Sequence, residues 1–107
     1  MTWAVEYAEE AEQDLIEIEN HIADVLLEPV TAKKLVDRLI DSADSLDLFP
    51  FRHRIYDEEP WRTLGYRVFP VENFLIFYLP DEGKETVTIS RFIYGARDLT
   101  VQFEPTD

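Results

Sequence analysis

The chain predicts an α+β fold: an N-terminal strand, an antiparallel helical hairpin and then a three-stranded antiparallel meander, all in one domain spanning residues 1–107. Three observations carry that expectation. Apolar residues recur at spacings of three and four over two successive stretches of the first half. They alternate or run continuously over short stretches of the second half. Strand-breaking residues, among them Pro80, Asp81 and Gly83, fall between those later stretches.

The elements follow in order. From Thr2 to Tyr7, Trp3, Val5 and Tyr7 alternate with smaller or polar residues, as in a strand with one face on a core. Leu15, Ile18, Ile22 and Val25 then mark one face of a helix over residues 8–26, with carboxylates filling most of the other face, and Pro29 punctuates its end. A second helix is expected from Thr31 to Leu48, with Leu35, Leu39, Ala43 and Leu46 in one stripe and Thr31 placed to cap its N-terminus. So short a connection makes the two helices an antiparallel pair. Phe49-Pro50 closes the pair, and residues 51–63, rich in Arg, His, Asp and Glu, are expected as a surface loop.

Three strands follow. Leu64 to Phe69 alternates Leu64, Tyr66 and Val68 against Gly65, Arg67 and Phe69. Six consecutive apolar residues from Phe74 to Leu79 suit a strand buried on both faces, and a turn over Pro80 to Gly83 leads to the strand that starts at Thr86 and reaches Tyr94. On that last strand Arg91 is expected to share a face with Val87, Ile89 and Ile93. The chain leaves the strand through Gly95, Ala96, Arg97 and Asp98.

Composition narrows the function classes. The absence of cysteine excludes disulfides, thiol catalysis and Cys-ligated zinc, and no His stands at ligand spacing from the paired acids Glu9-Glu10 or Glu58-Glu59, so neither a metal nor a cofactor is expected. No apolar stretch approaches the roughly 18 residues of a membrane span, and the N-terminus lacks a basic flank followed by an apolar run, so the chain is expected to be cytoplasmic and free of membrane. Formal charge is -13. It is unevenly spread: nine acids and no Lys or Arg occur in residues 1–30, whereas residues 51–79 balance four acids with Arg52, Arg54, Arg62 and Arg67. The acidity suits either a high-salt cytoplasm or a docking face for a basic partner.

The element order, with Tyr7-Ala8-Glu9-Glu10-Ala11-Glu12 at the strand-to-helix junction, Leu46-Asp47-Leu48-Phe49-Pro50 after helix two, and the Tyr94-Gly95-Ala96-Arg97-Asp98 exit, resembles the RelE/ParE superfamily of type II toxin-antitoxin toxins, the plasmid stabilisation proteins. The resemblance implies a growth-inhibiting toxin neutralised by a cognate antitoxin, which reaches DNA only through that partner. RelE-like members cut mRNA on the ribosome without a metal, and that chemistry needs groups to move two protons and cations to hold added negative charge. ParE-like members instead poison DNA gyrase by protein contact. Where RelE-like members carry lysines and an arginine this chain has Tyr66, Val68 and Leu75, which places it nearer the ParE-like branch.

Under the RelE-like alternative, Arg67, Arg97 and Tyr94 are the catalytic candidates; a family member without toxicity is the second alternative. Arg52, His53, Arg54, Arg91 and Asp98 are candidates for binding. Each also has a plain structural role available: a solvated loop position for His53, a core or antitoxin contact for Tyr94, ion pairs for Arg91 and for Arg97 with Asp98. The antitoxin is expected to bring a basic or mixed-charge C-terminal segment to the acidic first helix.

Overall fold

The structure is a computed structural model that describes residues 2–25 and 27–95. Its first strand, β1 (Ala4–Tyr7), leads into α1 (Glu9–Asn20), which continues as one π-helical turn over His21–Val25. Helix α2 (Pro29–Asp44) runs on into a 3-10 turn at Ser45–Asp47. A second 3-10 turn at Pro50–Arg52 and a short α3 (Trp61–Leu64) precede β2 (Arg67–Val71), β3 (Phe74–Asp81) and β4 (Thr86–Tyr94).

The sheet order is β1-β4-β3-β2. The last three strands form the expected antiparallel meander, and β1 lies along its edge. That edge pairing is parallel, so the sheet is mixed: Val5 stands opposite Val87 and Tyr7 opposite Ile89. The helical pair, the connection with α3 and two further strands separate β1 from β4, so no turn constrains the direction of β1.

Several boundaries differ from the sequence expectation for identifiable reasons. Helix α2 begins at Pro29, because a proline lacks the N–H that a first helical residue leaves unbonded anyway. Thr31 therefore sits inside the first turn, where its hydroxyl donates to Glu28 Oε1 at 3.1 Å and caps no backbone N–H. Leu64 belongs to α3 and is exposed; left-handed Gly65 (φ 94°) ends that helix, and the strand starts only at Arg67. Pro80 and Asp81 belong to β3, with the turn at residues 82–85. The proline is tolerated there because β2 pairs no further than Tyr78, leaving β3 one neighbour at that end.

Both faces of the sheet are covered. On one, Ile76, Tyr78, Val87 and Ile89 pack against Ala11 of α1 and Leu39 and Ala43 of α2, all of them buried. On the other, Val68, Leu75, Phe77 and Ile93 pack beneath Tyr56 and Trp61. Residues 51–63 are thus no mere surface loop: Tyr56 is 4% exposed, and its segment joins the sheet through an antiparallel bridge between Ile55 and Arg67. Coverage on both sides accounts for the continuous apolar run of β3, buried from Phe74 through Tyr78.

One polar contact locks α1 onto the sheet. Tyr78 pairs with Ile89 and Phe77 with Arg91, so Ser90 is an extra residue on β4. This bulge breaks the alternation: Ile93 joins the core opposite to that of Val87 and Ile89, and Arg91 turns toward α1, not sharing one face with all three. Asp14 accepts from Arg91 Nε at 2.7 Å and Nη2 at 3.1 Å, and from the Phe92 backbone N–H at 2.9 Å. The Asp14 side chain is only 12% exposed.

Asp14→Asn keeps the volume but leaves the guanidinium without its anion, and Arg91 remains partly solvated, which discounts the full cost of breaking a buried pair. A loss of about 2 kcal/mol in unfolding free energy, read by urea denaturation, is expected.

Candidate functional site

Two separate regions of the surface concentrate unusual chemistry. The first is the connection from Leu48 to Ile55 together with the start of β2. Arg52 reaches back to the end of the α2 segment, donating to the carbonyls of Ser45 and Leu48 and to Ser45 Oγ at 3.0 Å, where the unpaired carbonyls of a helix end favour a cation. Arg67, at the first position of β2, donates through Nη1 to the carbonyls of Phe51 at 3.2 Å and His53 at 2.6 Å, with its guanidinium 5.0 Å from the Phe51 ring centroid. Its Nε is buried without a partner. Both arginines therefore clamp the connection to the body of the fold.

His53 is not a solvated loop residue. Its ring stacks on Phe69 with centroids 3.9 Å apart, and Nε2 is buried with no hydrogen-bond partner. Burial, and after it the neighbouring Arg52 charge, holds the imidazole below its usual pKa of 6.5. Beneath it the Tyr78 hydroxyl donates to Pro50 O at 2.7 Å, and burial pushes that phenol up to about 12. Neutral Tyr78 and neutral His53 thus line the inner side of an arginine-bearing connection.

No carboxylate pairs with Arg52, Arg54 or Arg67 among the described residues, whereas Arg38, Arg62 and Arg91 pair with Glu72, Asp57 and Asp14. Three of the predicted binding residues, Arg52, His53 and Arg54, are therefore brought together with Arg67. Arg91 is not; it belongs to the α1 anchor. Tyr94, exposed at the end of β4, stands opposite Phe74, while Arg67 stands opposite Tyr78. Four residues along β3 and two strand spacings across put their backbones roughly 16 Å apart, so Arg67 and Tyr94 do not converge on one group. Arg97 and Asp98 lie outside the described residues.

The second region is a groove of about 770 Å³ between α1, α2 and the far end of the sheet. Ile18, Leu35, Phe74 and Phe92 give it an apolar floor. Its walls carry Glu17 and His21 from α1 and Lys34 and Arg38 from α2, with Tyr94 at the rim. Arg38 Nε lies 3.2 Å from Glu72, which occupies the β2–β3 turn with a left-handed backbone (φ 55°) and so ties that turn to α2. Nothing in the periodicity of α2 marks this groove, because Lys34 and Arg38 read in sequence as ordinary solvated positions. Phe49, left-handed at φ 52° and 79% exposed, is equally invisible before its backbone is known. Among the described residues no group of three His, Asp or Glu is placed to hold a metal ion, and no helix is long and apolar enough to cross a membrane.

Comparison with known proteins agrees with this architecture. The family model for the ParE toxin of the type II toxin-antitoxin system parDE matches residues 5–99. Among solved structures, the chromosomal ParDE toxin-antitoxin system from P. aeruginosa superposes with a TM-score of 0.73 at 21% identity, covering 88% of this chain and 97% of that one. The RelBE2 toxin-antitoxin complex from Mycobacterium tuberculosis superposes with a TM-score of 0.66 at 18% identity, covering 88% and 99%. No curated protein matches the chain.

The depressed His53 pKa makes a signed prediction. Below the unfolded-state value of 6.5 the unfolded chain takes up a proton that the folded chain resists, so the stability this residue contributes is full above that pH and declines as pH falls toward the folded-state value. His53→Phe keeps the stack on Phe69 and cannot titrate. Melting temperatures of the two proteins from about pH 7.5 to about pH 5 should show the wild type losing ground to the variant.

Proposed function

This chain belongs to the ParE toxin family of type II toxin-antitoxin systems, and on that premise we propose that it arrests growth by binding a protein target of the DNA gyrase kind and is silenced by a cognate antitoxin. The observation that carries the choice of protein contact over RNA cleavage is the burial of Val68 and Leu75, at 0% and 2% exposure, beneath Tyr56 and Trp61. Those are positions where a RelE-like ribonuclease presents cations to the scissile phosphate. Here the same sheet face is a second hydrophobic core, and a phosphate has no access to it.

Among the described residues the remaining cations do not rebuild such a site. Cleavage by a ribose hydroxyl requires a proton acceptor, a proton donor and positive charge within reach of one phosphorus. Arg67 has turned Nη1 to two backbone carbonyls, and Tyr94 stands at the other end of the sheet. An overall charge of -13 also opposes delivery to ribosomal RNA.

For the antitoxin, the groove between α1 and α2 supports a mixed-charge, amphipathic segment. Acids on the α1 wall select basic side chains, Lys34 and Arg38 on the α2 wall select acidic ones, and the floor takes apolar residues. The exposed carboxylates Glu10 and Glu17 extend the acidic wall, whereas Asp14 is committed to Arg91 and is unsuited to testing a surface role.

Two experiments test the proposal. Induction of the toxin alone should arrest growth with gyrase-dependent DNA breaks and without mRNA cuts on ribosomes; ribosomal cuts lost on Arg67→Ala would establish the ribonuclease instead, and undisturbed growth would mark a family member without toxicity. Glu10→Lys with Glu17→Lys should weaken the antitoxin complex about tenfold at low salt, measured by calorimetry, with the difference shrinking as salt screens it.

A further inference from the structure

The connection from Leu48 to Ile55 combines three features that no part of the fold requires together. It carries four of the chain's exposed large apolar side chains, Leu48, Phe49, Phe51 and Ile55. Phe49 holds a left-handed backbone, φ 52° and ψ 57°, immediately before Pro50. A bulky residue there costs on the order of 1–3 kcal/mol that a glycine would avoid. And in a chain of charge -13 the arginines of this region, Arg52, Arg54 and Arg67, have no carboxylate partner among the described residues.

We propose that this connection is a docking surface for a protein segment that presents apolar side chains flanked by carboxylates, and that it is the contact through which the chain engages its target; the second clause rests on the toxin reading above. Strain that lifts an aromatic ring into solvent has no stabilising role in the folded monomer. It places a rigid anchor of the type that dominates protein interfaces. The arginines supply the charge complement. Arg52 and Arg67 are already fixed by backbone carbonyls, so little side-chain freedom is lost when an anion arrives. Arg54, exposed and with no side-chain hydrogen bond or ion pair among the described residues, provides the adjustable contact.

Charge complementarity favours a protein over a nucleic acid. Arg52 and Arg67 keep part of their donor capacity turned inward, which leaves few hydrogen-bond donors for a run of phosphates, while the apolar anchors match a folded protein's side chains. The site is also distinct from the α1–α2 groove: none of the residues from Leu48 to Ile55 lines that groove.

Phe49→Gly and Arg54→Glu separate docking from folding. The glycine accepts the left-handed backbone, so that variant should melt no lower than the wild type, and Arg54 has no partner to lose. Fluorescence anisotropy with the full chain uses a labelled peptide of alternating Glu and Leu, with a Lys-Leu peptide and single-stranded oligodeoxythymidine as comparators. The wild type should prefer the acidic peptide, with binding weakened by salt, and each variant should lose about tenfold or more. Tighter binding of the oligonucleotide, or no preference for the acidic peptide, overturns the inference. In cells, both variants should lose growth arrest yet retain the antitoxin complex; arrest at wild-type strength in both overturns the assignment of the surface to the target. A wild type that causes no arrest instead removes the toxin reading, and the peptide measurement alone then decides the docking surface.

Discussion

The placement of α1 depends on one carboxylate. Asp14 receives three hydrogen bonds from two consecutive residues of β4, two from the Arg91 guanidinium and one from the Phe92 backbone. It sits beside an irregularity in the strand. The extra residue Ser90 shifts the alternation of β4 by one, so that Phe92 faces the helical core with Ile76 while Ile93 faces the opposite core, and the Arg91 guanidinium and the Phe92 N–H both reach Asp14. With α1 fixed, α2 packs beside it, Leu39 and Ala43 close the core over the sheet, and the groove between the helices acquires its apolar floor from Phe74 and Phe92.

The bulge also divides β4 between the two cores. Val87 and Ile89 contribute to the helical side, Ile93 to the side covered by Tyr56 and Trp61. Among the described residues, each face of the four-stranded sheet thus carries its own buried cluster. Outside those cores the charge is unevenly spread among the described residues: carboxylates crowd α1, whereas Arg52, Arg54 and Arg67 have no acidic partner. Short-range complementarity of this kind selects partners within about a Debye length, ~8 Å at physiological salt, even though the net charge of -13 repels anions from farther away.

Much of the fold was legible in the residues because it follows from local periodicity. The stripe of Leu35, Leu39 and Ala43, the alternation of Trp3, Val5 and Tyr7, and the uninterrupted run from Phe74 to Tyr78 each leave a repeat that a single element must satisfy. The burial of Val68 and Leu75 follows in the same way from the alternation of β2 and the apolar run of β3. Residues 51–63 escaped because their polar composition conceals two anchors, Tyr56 and Trp61, whose partners lie on strands further along the chain. Thr31 and Pro29 were misassigned for a simpler reason: a proline both ends one helix and begins the next.

What the sequence determined by itself was the order of elements, the two-sided burial of β3, the absence of thiol chemistry and the membership of a toxin family, because each depends on residue types at short spacing. The tertiary structure alone decided that Arg91 anchors a helix, that Arg52, His53, Arg54 and Arg67 gather while Tyr94 stands apart, and that Phe49 is held in solvent by a left-handed backbone. The physical reason is common to all three. A one-residue bulge, a strand register and the sign of one φ angle leave no periodic trace in the chain, yet each determines where a side chain points and therefore what it can bind.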